Sequence, residues 1–205
     1  MKKLNQKKIP LILFDRGEND IGVDYVGIDD YQSSHLIVDH LVAQKCTRIA
    51  HIAGYRHTRI FKNRIRGFID ALQKHKLPFD DKLILECDLT LEDGRAKMQQ
   101  ILQYNELPDA VYAASDYAAL GALQVLQEHH IKVPQEIALA GFGDEAFTSL
   151  VTPSITTIKQ HSDKIGKIAA DTFLERIENP NRVQKLNKII LHGELLVRNS
   201  TKRHF

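Results

Sequence analysis

The sequence predicts an α/β protein built on mostly parallel sheets covered on both faces. Short apolar runs of strand length alternate with stretches of helical periodicity along almost all of its 205 residues. Of these strand-like runs, Ile137–Ala140 is fully apolar rather than alternating, as in sheets buried on both sides. Several of them end in glycine, serine or aspartate, and in open parallel sheets ligands bind in the crevice at those carboxyl ends.

Taken in order, a polar start carrying Lys2, Lys3, Lys7 and Lys8 leads into a strand from Ile9 to Phe14 that stops at Asp15-Arg16-Gly17. A buried-type strand so near the first residue leads us to expect that an amino-terminal portion is missing. Tyr25 to Ile28 is a strand closed by Asp29-Asp30, and Tyr31 to Gln44 a helix with Leu36, Ile37, His40 and Leu41 at helical spacing. Ile49 to Ala53 is a strand ending at Gly54, followed by a helix over Lys62 to His75 with Ile65, Phe68, Ile69 and Leu72 on one face. Leu83-Ile84-Leu85 is a strand and Glu92 to Tyr104 a helix. Ala110 to Ala114 is a strand delivering Ser115-Asp116 to the start of a helix from Tyr117 to His130.

The stretch Ile137 to Gln160 is central. Ile137 to Ala140 reads as a strand broken by Gly141-Phe142-Gly143-Asp144, and the β-branched run from Thr152 to Gln160 as a second extended segment. A helix from Asp163 to Glu178 stops at Asn179-Pro180, and Ile189-Ile190-Leu191 and Leu195-Leu196-Val197 are the final strands.

Composition is near the globular average, 43% hydrophobic and 26% charged, and the formal net charge of +2 with scattered basic residues leaves no electrostatic footprint for nucleic acid. The two cysteines, Cys46 and Cys87, have no metal spacing and read as reduced thiols. With no signal peptide and no run of about 18 apolar residues, a soluble, cytoplasmic protein with no membrane partner is expected.

The motifs of catalysis are missing: no phosphate-binding loop, complete dinucleotide fingerprint, nucleophile elbow or zinc-protease helix is present. Not an enzyme, and with no cofactor or metal, is therefore the expectation. His35 and Asp39, at i and i+4, could be half a metal site, but a solvated helix face is the plainer reading. His129-His130 complement a helix dipole. What remains is a set of polar groups at strand ends: Asp15, Asp29, Ser115, Asp116 and Asp144. Ser115 and Asp116 serve equally as N-cap and first-turn carboxylate or as ligand contacts. Arg64 or Arg66 could reach over the rim with a forked bond. Several rim carboxylates with few arginines suit a polyhydroxylated ligand such as a sugar.

The segments Ile9–Arg16, Val26–Asp30, His40–Val42, Arg48–Gly54, Arg64–Phe68, Pro108–Asp116, Val133–Phe142 and Pro153–Gln160, in this order, resemble the LacI/GalR transcriptional regulators, and the match runs from about Ile9 to Ser200. The resemblance implies a periplasmic-binding-protein-like type I core: Rossmann-like parallel sheets in two lobes with a ligand cleft between them, the first lobe incomplete here. It implies that residues 1–29 end the amino-terminal lobe, 30–159 form the carboxy-terminal lobe, 160–188 return to the first, and 189–205 make the last crossover. The helix-turn-helix domain that would bind operator DNA in such proteins is not in this sequence.

Carried over by position, the resemblance implies effector contacts at Asp15, Arg64, Leu89, Ser115, Asp116, Gly143, Asp144 and Gln160. Leu89 stands where an aromatic residue is common and Gly143 where aspartate often stands, the carboxylate arriving one residue later as Asp144. A homodimer is implied, with Leu120 and Val151 at its interface, although Leu120 serves equally as core. The implied function is sensing of a sugar-like effector to control operator binding. A periplasmic-type sugar-binding protein is the alternative, and a small α/β enzyme using Asp116 or Asp144 as a base a weaker one.

Overall fold

The computed structural model describes residues 9–17, 22–179 and 186–203. The lysines expected at the start of the chain and the Pro180 helix stop lie outside these residues. Contacts divide the chain into two units: residues 1–29 with 161–192, and residues 30–160 with 193–205. The chain thus passes from one unit to the other three times.

In the first unit, β1 (Ile12–Phe14), β2 (Asp24–Ile28) and β8 (Lys188–Leu191) form a parallel sheet in the order β1-β2-β8. Helix α5 (Ser162–Glu178) packs on β1 and β2. Its Arg176 grips the buried Asp24, the first residue of β2, with Nη2 and Nε donating to Oδ1 and Oδ2 at 2.6 and 2.8 Å. Burial alone would raise the Asp24 pKa, but the bonds from Arg176 and the Asn187 amide hold it below the usual carboxylate range. Because β8 pairs with β2 over Tyr25–Ile28, residues 189–192 belong to this unit, and the last crossing falls at His192/Gly193 rather than before Ile189.

The second unit has a four-stranded parallel sheet, β3 (Ile49–Ala53), β4 (Ile84–Glu86), β5 (Ala110–Ala113) and β6 (Ala138–Ala140), in the order β4-β3-β5-β6. Helices α1 (Asp30–Ala43) and α2 (Arg59–Lys74) pack on each other, as do α3 (Leu91–Ile101) and α4 (Asp116–Glu128). A Cβ at Gly94 would strike the Ala118 carbonyl and one at Gly121 the Leu91 carbonyl, so α3 and α4 approach backbone to backbone. Ile37, Leu41, Ile52, Met98, Ile101, Leu126 and Leu139 are fully buried, each contributing about 1.5–3 kcal/mol.

Helix ends follow local rules. Thr90 and Asp93 form a capping box at the start of α3. Helices α1, α2 and α4 end alike, with Lys45, Lys76 and His130 in left-handed conformation and paired 5→2 and 6→1 hydrogen bonds, as in Lys76 N to Gln73 O and Leu77 N to Leu72 O. Cys46, Leu77 and Ile131 supply the apolar residue that follows. His130 is thus a C′ residue, a geometric role beyond complementing the dipole.

The extended run expected over Thr152–Gln160 is regular only at β7 (Thr157–Lys159), which pairs antiparallel with β9 (Glu194–Leu196). Ile155 spends its N–H on Thr148 O and its carbonyl on Arg198, so the ladder cannot start earlier. Beyond β9 the chain is stitched to β6, with Leu139 N bonding Ser200 O and Ser200 Oγ bonding Leu139 O.

One core residue is unusual. His51 on β3 is fully buried between Phe68 and Tyr112, with ring centroids 5.0 and 4.2 Å away. Its Nδ1 meets Tyr112 O at 2.9 Å, while Nε2 has no partner. Burial pushes its pKa down to about 3, so the ring is neutral.

Candidate functional site

Parallel pairing of β3 with β4 and β5, and of β5 with β6, brings all four carboxyl ends to one rim of the second unit. The segments leaving those ends carry Gly54, Leu89, Ser115-Asp116 and Gly141–Asp144.

Arg64 reaches this rim from α2. It is buried, its Nε donating to Asp30 Oδ1 and its Nη1 to Ala114 O, both at 2.8 Å. Its guanidinium carbon lies 3.5 Å from the Phe142 ring centroid and 5.6 Å from that of Phe61. Arg64 therefore touches the segments after both β5 and β6, and Nη2 has no hydrogen bond among the described residues. Arg66, the other candidate, is exposed and lies over Tyr31 instead.

Asp116 is 1% exposed. Its Oδ1 accepts from Thr157 Oγ1 at 2.7 Å and its Oδ2 from Glu145 N at 2.9 Å, so both oxygens serve its own chain. Burial raises its pKa above the ordinary carboxylate value, against the bonds from Thr157, Glu145 and Asp144. Ser115 is the N-cap of α4, its Oγ accepting from Tyr117 N at 3.2 Å.

Gly143 has φ +144°, and a Cβ there would lie 3.1 Å from Asp116 Oδ2. An aspartate at this position would combine backbone strain with like-charge repulsion, which explains why this chain carries glycine. Gln160 Nε2 lies 3.7 Å from the same Cβ position, so Asp116, Gly143 and Gln160 share one corner. Asp144, with φ +62°, turns to Arg198, whose Nη2 donates to Oδ1 at 2.8 Å.

Leu89, also left-handed at φ +65°, sits in the apolar cluster with Ala114, Met98 and Ala118. Asp15, in the other unit, is exposed with φ +58°, and its carbonyl accepts from Tyr25 OH at 2.8 Å. Three of the eight expected contacts, Asp15, Leu89 and Asp144, are thus left-handed non-glycine residues just past strand ends, a conformation that clusters at functional sites.

Elsewhere, His35 Nε2 bonds Tyr31 OH at 3.2 Å, and Asp39 is occupied by Lys74 and His75. Leu120 and Val151 are half-buried, and Val151 packs against the core. Their neighbours Tyr117 and Leu150 are the exposed ones, 48% and 80%.

Sequence reasoning missed Asp30, Thr157, Phe61 and Arg198. No pattern marks them, because each acts through a contact distant in sequence. Asp30, Thr157 and Phe142 do lie in stretches already singled out, at the end of β2, in the Thr152–Gln160 run and in the glycine-rich break, but nothing in those stretches marks their partners.

A periplasmic binding protein-like domain model matches residues 38–201. The HTH-type transcriptional repressor PurR of Actinobacillus pleuropneumoniae is 29% identical over 202 residues, covering 98% of this chain. The chain spans about 60% of the length of this and similar curated relatives. Among solved structures, a complex of the transcriptional regulator CelR with cellobiose superposes with a TM-score of 0.87 at 28% identity, over 96% of this chain and 60% of that one. A LacI-family regulatory protein from Chloroflexus aggregans gives 0.88 at 26% identity, over 99% and 72%. Among the described residues no helix is long and apolar enough to cross a membrane. The chain belongs to the periplasmic binding protein-like domain family, and its relatives are LacI-family transcriptional regulators.

Proposed function

We propose that this chain is the effector-sensing part of a LacI-type transcriptional repressor, and that the rim of its second unit binds a neutral, polyhydroxylated ligand such as a sugar. The observation that carries the ligand class is charge compensation. Arg64 is neutralised by Asp30 at 2.8 Å and Asp144 by Arg198 at 2.8 Å. Burial disfavours the charged form of Asp116, whose oxygens are already occupied. A rim so balanced offers donors and acceptors without a net field, which suits hydroxyl groups better than a phosphate or carboxylate. Phe142 and Phe61 add apolar surface, and Arg64 Nη2 is left to donate to the ligand. The cellobiose complex of CelR agrees with this reading.

Operator DNA would be engaged by a part of the repressor other than these residues. The effector would act by its differential affinity for two arrangements of the protein, altering how paired DNA-binding heads fit their half-sites. A cytoplasmic homodimer, with Leu120 and Val151 and the exposed Tyr117 and Leu150 near them in the chain at its interface, completes the proposal.

The test is a thermal-shift screen against neutral mono- and disaccharides, sugar acids and nucleobases, repeated with Arg64→Lys. This variant keeps a charge for Asp30 but not the forked geometry. A saturable rise with a neutral sugar, reduced in Arg64→Lys, is expected. A rise with sugar acids or nucleobases alone contradicts the ligand class.

A further inference from the structure

The loop after β6 is held from outside itself. Gly143 and Asp144 both have positive φ, and such a conformation in a residue like Asp144 persists only where surrounding contacts over-determine it. On one side Arg198, two residues past β9, donates Nη2 to Asp144 Oδ1 and Nη1 to Thr148 Oγ1, each at 2.8 Å, and Nη1 to Ile155 O at 3.0 Å. On the other side Thr157 Oγ1 accepts from Asp144 N at 3.3 Å and donates to Asp116 Oδ1, while Glu145 N donates to Asp116 Oδ2 at 2.9 Å. The loop is pinned between Arg198 and Asp116.

We propose that Arg198 is a positioning residue for the effector rim: through Asp144 and Thr148 it fixes the Gly143–Glu145 backbone in the conformation that bonds Asp116, so the chain just beyond β9 sets the shape of the ligand wall. This deepens, and rests on, the reading of that rim as the effector face. Arginine is required because two nitrogens of one planar fork serve three acceptors in different directions, whereas a lysine could hold Asp144 but not Thr148 and Ile155 with it. The pair is largely buried, at 20% and 22% side-chain exposure, and so is only partly screened by solvent.

Amide hydrogen exchange read by NMR on the wild type, Arg198→Met, Arg198→Lys, Asp144→Asn and the Arg198→Met/Asp144→Asn double variant tests this without a ligand. The expected result is exchange of the Gly143 and Glu145 amides faster by about tenfold in Arg198→Met and Asp144→Asn. The double variant should be no faster than Arg198→Met, and Arg198→Lys should lie between it and the wild type. Ile52 and Val111, in the sheet centre, should keep their wild-type rates. The carboxyl carbon of Asp116 should titrate at a shifted pH in Arg198→Met, a readout that general stabilisation does not move. Unchanged Glu145 exchange, or equal acceleration at Ile52 and Val111, overturns the positioning role. Cellobiose is the binding probe: binding by the wild type that weakens about tenfold in Arg198→Met supports the proposal, and equal binding by both overturns it. A wild type that binds no sugar yet shows the exchange pattern counts against the effector reading alone, the loop-holding role of Arg198 being upheld.

Discussion

Arg64 and Asp30 form an ion pair at 2.8 Å in which each side chain is only 5% exposed. A buried pair is strongly destabilising to break because the survivor is left charged without a partner. Arg64→Met should therefore lower stability by about 3–5 kcal/mol, while Arg64→Met combined with Asp30→Leu should recover most of that loss. Urea unfolding of the two single variants and the double variant measures the cycle. Additive losses would mean that the two residues are not energetically coupled.

His51 gives the acid limb of stability a definite sign. Its pKa is about 3 when folded against the 6.5 of a free imidazole. The folded state thus gains from a neutral ring above the unfolded value and loses that advantage as pH falls toward the folded one. Stability should drop by up to about 1.4 kcal/mol per pH unit over this window from His51 alone. His51→Phe keeps a ring between Phe68 and Tyr112 but cannot titrate. Its unfolding midpoint, followed from about pH 7 to about pH 4, should fall less steeply than the wild type's.

Lys76 occupies the left-handed C′ position of α2 with φ +56°. Glycine adopts this conformation without strain, so Lys76→Gly should stabilise the chain by up to about 1 kcal/mol. A rise in melting temperature confirms it. A fall would mean that the lysine side chain contributes more than its backbone costs.

Leu150 is 80% exposed, and its N–H bonds the carbonyl of Phe147, whose ring meets that of the exposed Tyr117 edge-on at 5.2 Å. If this apolar surface joins two copies, Leu150→Arg should shift sedimentation toward the monomer without lowering the melting temperature of the unit. Unchanged sedimentation would place any dimer contact elsewhere.

The order of strands and helices was legible because the four parallel strands of the second unit are almost wholly apolar, His51 in β3 and Glu86 at the end of β4 being the exceptions, and the helices α2 and α4 keep one apolar face. The rim was legible in part: Ser115, Asp116, Gly141 and Gly143 stand where apolar runs break. What hides is the direction in which a side chain turns. Asp116 and Asp144 look alike in sequence, yet one bonds the loop's own backbone and the other Arg198, over 50 residues away. The extended run at Thr152–Gln160 was over-read because β-branched residues give no sign that Ile155 bonds Thr148 and Arg198 rather than a strand. Leu150 rather than Val151 faces solvent because Val151 turns into the core, a choice that one residue of register decides.

The most direct measurement is an NMR titration of the labelled chain with cellobiose and a panel of neutral monosaccharides. Binding at the proposed rim predicts saturable amide shifts centred on Ala114, Gly141, Phe142 and Gly143, at the carboxyl ends of β5 and β6. Shifts confined to the opposite strand ends, around Thr47, Asp109 and Pro134, or none with any neutral sugar, would contradict it.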